Sequence, residues 1–212
     1  MSTAFKHDFT MMFVIHDALR RELEFLARTT ARGAGDPRAL VAGAAGWEMF
    51  KTYLHVHHGA EDEALWPQVR QALADRPADL ALIDAMETEH ATIDPLLEAV
   101  DAAVADPARA GDLSALVDAL ATGLRAHLKH EEEAALPLID SVVTPQQLQA
   151  FGQAHTVRIG DGTPRYLPWV LDGASAQDTE AILGILPPPV RGLYNDAWVP
   201  SYRGLERWPA SS

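Results

Sequence analysis

Two stretches of the chain decide how it is read. One is HHGAEDEALWP, from His57 to Pro67, and the other is HLKHEEEAALP, from His127 to Pro137. In each, a glutamate follows the first histidine by four residues and precedes the proline by six. Positions i and i+4 lie one turn apart on one face of an α-helix, so a His-x-x-x-Glu pair can aim both side chains at one centre. The internal match predicts a pseudo-twofold site, with two equivalent pairs facing each other across a shared interior.

Working outward, breakers divide the first 140 or so residues into four long helical segments. The first runs from about Asp8 to Arg32 and stops at Gly33-Ala34-Gly35. The second starts after Asp36-Pro37, a cap followed by proline at the first helical position, and continues to about Asp75 with Pro67 kinking or interrupting it. The third runs from near Pro77 to near Ala105, and the fourth from Asp112 to Pro137 or a little beyond. Alternating β-branched runs are nearly absent, while Ala, Leu, Glu and Arg, which lose little side-chain entropy in a helix, are abundant. The pattern predicts an all-α chain: an antiparallel up-down-up-down four-helix bundle.

Further short helices follow, one starting at Thr144-Pro145-Gln146-Gln147 and one from Ser175 to Leu186, with a loop at Gly160 to Pro164. No long linker separates them from the bundle. They are expected to pack on it, dividing the chain into residues 1–140 (bundle) and 141–212 (C-terminal helical extension). The tail aromatics Tyr194, Trp198, Tyr202 and Trp208 fit packing within the monomer, with a channel lining or a homodimer interface as alternatives.

Bundle helices bury residues at alternating steps of three and four. Those stripes are Phe9, Met12, His16, Leu19, Leu23, Leu26; Phe50, Leu54, His57, Glu61, Leu65; Ile83, Met86, His90, Ile93, Leu97, Val100, Val104; and Leu113, Leu120, Leu124, His127, Glu131, Ala135. Each seam holds one histidine, and two hold a glutamate one turn later. An unpaired buried carboxylate costs many kcal/mol, and a metal offsets that cost because it binds deprotonated ligands. Imidazole and carboxylate without sulfur suit iron, manganese or zinc, and two carboxylates able to bridge suggest two ions. Four imidazole nitrogens and four carboxylate oxygens fall short of the roughly twelve donors of two octahedral ions. A bridging oxo or hydroxo group fills two more positions and leaves one or two open for water or a small ligand. A closed structural site would leave none.

Composition limits the alternatives. The chain has 212 residues, a length that favours one domain, with 48% hydrophobic and 22% charged residues. Its net charge of −13 makes nucleic acid and anionic membranes poor partners. The absence of cysteine removes disulfides, thiolate nucleophiles and iron–sulfur clusters. No targeting segment is visible, no apolar run reaches about 18 residues, and the expectation is a cytoplasmic protein. The acidic runs lack the alternating loop and glycine of a calcium site. His55, His58 and His130 sit beside the stripes and are expected at the surface or behind the ligands; His7 and His155 are expected at the surface. Tyr53, one turn before His57, is expected to pack, with a role at the site as the alternative. Glu24, Asp94 and Asp17 are candidates to orient the imidazoles from behind.

Taken together, His16, HHGAEDEALWP, Glu89-His90 and HLKHEEEAALP resemble the hemerythrin-like HHE cation-binding domains over about residues 8 to 140. The resemblance implies a four-helix bundle holding a non-haem di-iron centre, two iron ions with an oxo or hydroxo bridge, zinc or manganese also fitting. It implies His16, His57, His90 and His127 as terminal ligands and Glu61 and Glu131 as bridges. It further implies a small diatomic or peroxide ligand, since members carry dioxygen, sense oxygen or iron, or handle peroxide and nitric oxide. The chain departs from the oxygen carriers in two ways. Their third-helix His-x-x-x-His pair is reduced to His90, with Met86 and Asp94 on either side. Their fourth-helix carboxylate falls five residues after the histidine, at Glu132 here, while Glu131 falls at four. The chain thereby looks closer to the iron-sensing domains of ubiquitin ligases. One fewer histidine favours redox turnover or regulation over oxygen carriage. The functional expectations are binding or reduction of the small ligand, with an iron- or oxygen-responsive regulatory protein as the alternative.

Overall fold

The computed structural model describes residues 5–31 and 36–209, all helical or in turns, with no strand among them. The four expected segments are present. Helix α1 spans Thr10–Thr30; the expected stop at Gly33-Ala34-Gly35 lies outside the described residues. The second segment is divided. Asp36 accepts from the Arg38 amide and opens α2 (Pro37–Ala42), and the chain breaks at Gly43-Ala44 before α3 (Ala45–Ala60). Helix α5 spans Pro77–Ala105 as expected, and α6 spans Leu113–His130.

Both signature motifs widen into a π turn that starts at the glutamate four residues after their first histidine, at Glu61–Leu65 and Glu131–Ala135, before continuing as α4 (Trp66–Ala72) and α7 (Leu136–Val142). The proline explains the widening. Pro67 and Pro137 lack an N–H, and their rings would strike the carbonyl four residues back in a regular helix. A π turn, with Trp66 donating to Glu61 and Leu136 to Glu131, opens that contact without ending the helix. A third π turn, Tyr194–Trp198, precedes Pro200 in the same register.

Every stripe position is buried except Val104, which is partly buried and packs on the core. Helix α5 packs along α6, α6 against α1, and α1 against α3. The apolar interior forms two clusters, one around Leu23, Phe50, Leu97 and Leu124, the other around Met12, Trp66, Met86 and Ile139. The histidine and glutamate positions separate them.

The helices after Val142 pack against α1 and α3. Thr144 forms a capping box with Gln147 and starts α8 (Pro145–Ile159). Gly160, at φ 53°, turns the chain through Gly160–Gly162 into α9 (Thr163–Leu171), a helix the sequence reading left as loop at its start. Ser175 caps α10 (Ala176–Gly184); α11 (Pro188–Leu193) and α12 (Val199–Arg203) follow. The tail then docks through a buried carboxylate on α1. Glu22 accepts from Arg21 at 2.8 Å, from Arg207 at 2.8 Å and from the Trp208 indole at 2.5 Å. Gly46 donates to the Arg207 carbonyl at 2.8 Å, and a Cβ there would lie 2.3 Å from the Trp208 ring. The four tail aromatics are thus used in packing within the chain.

Removing Glu22 takes one acceptor from each of two partly buried guanidinium groups and leaves the Trp208 indole without its partner. Glu22→Ala is expected to lower stability by about 3 kcal/mol, read from urea unfolding; a loss within experimental error of zero would contradict the tail-docking role.

Candidate metal centre

The side chains of His16, His57, Glu61, His90, His127 and Glu131 all enter the interior, each 5% exposed or less. They fall into two groups. His16, His57, Glu61 and Glu131 each offer a donor atom within 4.8 Å of the others, and so do His58, His90 and His127. His58 is therefore a correction. It was expected beside the stripe, yet it is 5% exposed and stacks on His90 with ring centroids 3.9 Å apart. The signal was in the sequence: His57 and His58 are adjacent, so they stand about 100° apart on the helix and reach neighbouring centres.

The glutamates lie between the groups. Glu61 has one oxygen 3.5 Å from His57 Nε2 and the other 3.5 Å from His90 Nε2. Glu131 Oε2 lies 3.2 Å from His16 Nε2 and 3.9 Å from His127 Nε2. All four carboxylate oxygens are buried, and none receives a well-formed hydrogen bond from the described residues. Ring nitrogens also converge without a hydrogen-rich partner: His16 Nε2 lies 3.0 Å from His57 Nε2, and His90 Nε2 lies 3.1 Å from His127 Nε2. Buried acceptors aimed at one another are expensive unless a cation lies among them. The residues present fit a metal.

Behind them stand carboxylates the sequence reading did not select. Glu132 pairs with His16 Nδ1 at 2.8 Å, Asp62 with His90 Nδ1 at 2.9 Å, and Glu89 with His127 Nδ1 at 2.9 Å. Such partners fix the tautomer that leaves Nε2 free for a metal. Glu24, Asp94 and Asp17 instead lie at the surface beside Arg28, His55 and Arg20. The internal repeat extends to this layer, because Asp62 and Glu132 each directly follow a bridging-type glutamate. His130 pairs with Glu89 at 2.8 Å, and His55 is exposed, both as expected. Tyr53 packs against Tyr166 and Trp169. His7 is partly buried against Asp140, and His155 is 8% exposed, so neither is a free surface group.

Burial pushes His57 and His58 well below the ordinary histidine value, and the surrounding histidines add to it. Burial acts on His16 too, but the charges of Glu131 and Glu132 outweigh it and hold that ring at about 8. Burial raises Glu61 well above the usual carboxylate range, with Glu131 adding to it; at Glu131 the nearby His16, His127 and His90 outweigh burial and lower it. The metal-free cluster thus retains protons that a metal must displace.

The profile of the Hemerythrin HHE cation binding domain matches residues 7–139, and the chain belongs to that family. No curated protein and no solved structure matches it. The chain therefore carries a cation-binding domain, with histidines and glutamates placed to hold metal. No helix among the described residues is long and apolar enough to cross a membrane.

Burial lowers His155 to about 4, with Arg158 adding to the shift. The unfolded chain, titrating near 6.5, binds the proton more readily, so this residue's contribution to stability falls as pH drops from about 6.5 to about 4. Metal-free protein is expected to lose up to about 3 kcal/mol more than His155→Phe over that window, as measured by urea unfolding midpoints. Parallel pH profiles would refute it.

Proposed function

We propose that the chain is a non-haem di-iron protein of the hemerythrin-like kind, which binds or reduces a small ligand such as dioxygen, peroxide or nitric oxide at an open coordination position. The observation that carries this reading is the pair of buried carboxylates, Glu61 and Glu131, each lying between a histidine of one group and a histidine of the other with no well-formed hydrogen bond. A carboxylate in that position suits a bridge between two ions. The ligand set we assign is His16, His57, His90 and His127 with Glu61 and Glu131, and His58 added.

The addition of His58 changes the donor arithmetic. His16 and His57 would hold one ion and His58, His90 and His127 the other, with Glu61 and Glu131 within reach of both, so an open position would be expected on the side with two imidazoles. When bound, the metal pair would supply redox electrons and a Lewis-acidic position for the small ligand. The chain's own residues do the rest: Glu132, Asp62 and Glu89 hold imidazoles in register, and the apolar clusters on either side exclude bulk water. The long helices are read as an up-down-up-down bundle over residues 1–140 with an extension over 141–212, and the protein as cytoplasmic.

The alternative is an iron- or oxygen-responsive regulatory protein in which metal sets the folded state. The cluster's position between two apolar clusters favours a strong coupling of metal to stability, because a ligand that binds only the native form stabilises it by mass action.

Iron-loaded protein is expected to hold about two iron ions per chain, His58→Ala about one, and His55→Ala about two, measured by elemental analysis. Well under one transition-metal ion per wild-type chain would overturn the reading. Oxygen release from hydrogen peroxide that Glu61→Ala abolishes would assign turnover; equal release from both would remove it. An unchanged melting temperature after metal removal would eliminate the regulatory alternative.

A further inference from the structure

Besides His58, whose counterpart in the second motif is Leu128, the pseudo-twofold pattern of the centre breaks behind one imidazole. Glu89, directly before His90, partners His127 Nδ1. The equivalent residue directly before His16 is Ile15, and His57 Nδ1 is buried without a hydrogen-bond partner. A side chain of the C-terminal extension also approaches His57. The His155 ring lies 6.4 Å from that of His57, and the Tyr166 ring lies 5.5 Å from that of His155.

Beside these rings is a cavity of about 400 Å³, bounded by the start of α1 and by α8, α9 and the residues after α10. Its wall includes Met11, Ile15, Leu148, Phe151, Leu167 and Leu186. The polar groups on it are few. The Thr156 and Thr163 hydroxyls donate to backbone carbonyls. The charged residue of the lining, Asp8, is exposed and accepts from the Thr10 amide. His155 and Tyr166 also line the cavity, 8% and 3% exposed, and the His155 Nε2 and the Tyr166 hydroxyl have no hydrogen-bond partner. Ile185, 80% exposed, forms part of the rim.

We propose that this cavity binds a neutral, largely apolar organic molecule of one or two fused rings, its single hydroxyl or carbonyl group directed at His155 and Tyr166. The size lies in the ordinary range for small-molecule sites, and an apolar wall with a few polar groups is their usual make-up. No cation lines the cavity, and Asp8 stands at the rim, so a carboxylate or phosphate would enter uncompensated. A ligand with no polar group would leave the two buried polar atoms unsatisfied. The wall from Leu148 to Leu186 lies beyond the residues matched by the family profile, so the site belongs to the extension of this chain. It stands independently of the metal reading.

The test is calorimetric titration of the full metal-free chain with 2-naphthol, naphthalene and 2-naphthoate. Naphthol is expected to bind at about one per chain, and naphthoate at least about tenfold more weakly. Tyr166→Phe is expected to weaken naphthol about fivefold while leaving naphthalene unchanged. Gly152 lines the cavity on α8, and a Cβ there meets nothing within 4 Å. Gly152→Phe should therefore fold, checked by circular dichroism, and weaken naphthol at least about tenfold; Leu186→Trp plugs the cavity from the other side and should do the same. No binding to folded wild type, equal affinity for naphthoate, or indifference to both plugs would overturn the proposal. So would a dimer that the plugs dissociate, since the face would then belong to a second copy. A chain that takes up no iron yet binds naphthol supports the cavity and removes the metal reading alone.

Discussion

Two carboxylates and five imidazoles share one layer of an apolar interior, and that layer constrains everything around it. Glu61 and Glu131 are fully buried, with oxygens that face ring nitrogens instead of N–H donors. In an interior of low dielectric such groups repel or go unpaired unless a cation lies among them. Without metal, protons fill part of that role. His16 is held protonated by Glu131 and Glu132, and Glu61 is pushed toward its neutral form. The layer also divides the hydrophobic interior in two, so the packing on either side meets across a polar seam. A metal bound in this layer would therefore be linked to the folding free energy.

The seam needs side chains delivered at particular heights, and the backbone supplies them through π turns. Each turn begins at the bridging-type glutamate and ends two residues before a proline. The proline forbids a regular helix at that point, and the wider turn changes the angular step between residues there. Within the turn, Glu61 and Asp62 serve different partners: the first lies between His57 and His90, and the second pairs with His90 from behind. Glu131 and Glu132 repeat the arrangement toward His127 and His16. A single π turn thus supplies both a carboxylate at the centre and the carboxylate that orients its neighbour.

Much of this was legible in the sequence, because a 3.6-residue period interrupted by a histidine is a strong signal. The stripes identified the buried face of all four segments, and the third helix begins and ends where its flanking prolines placed it. The six buried histidines and glutamates followed from the same stripes. What the period could not reveal was any residue reaching the centre from the edge of a stripe. His58 is one step from His57 and looks peripheral on a helical wheel, yet a second group of donors adjacent to the first requires that offset. The orienting carboxylates were missed for a related reason. Asp62, Glu89 and Glu132 sit on solvated flanks in the sequence, and their role depends on contacts between different helices. The break at Gly43-Ala44 and the helix from Thr163 carry only single markers, Gly43 and Pro164, each of which also fits the opposite reading of a tolerated glycine or a loop proline.

The departure from symmetry carries the most information about what distinguishes this chain. Three of the imidazoles have carboxylates behind them, which makes each ring a better donor to metal. His57 has Ile15 at the equivalent position and neutral His155 nearby, so its ring receives no such charge. The two halves of the cluster therefore differ in the charge placed behind their imidazoles even though the motifs are nearly identical. The extension reinforces that difference. Glu22, Arg207 and Trp208 fix the tail against α1, while α8 and α9 bring His155 and Tyr166 to the uncharged side of the centre. The same extension completes the main apolar cluster with Tyr166, Trp169 and Val170 and lines the cavity beyond His155, so one side of the cluster is packed by neutral rings while the other is braced by charge.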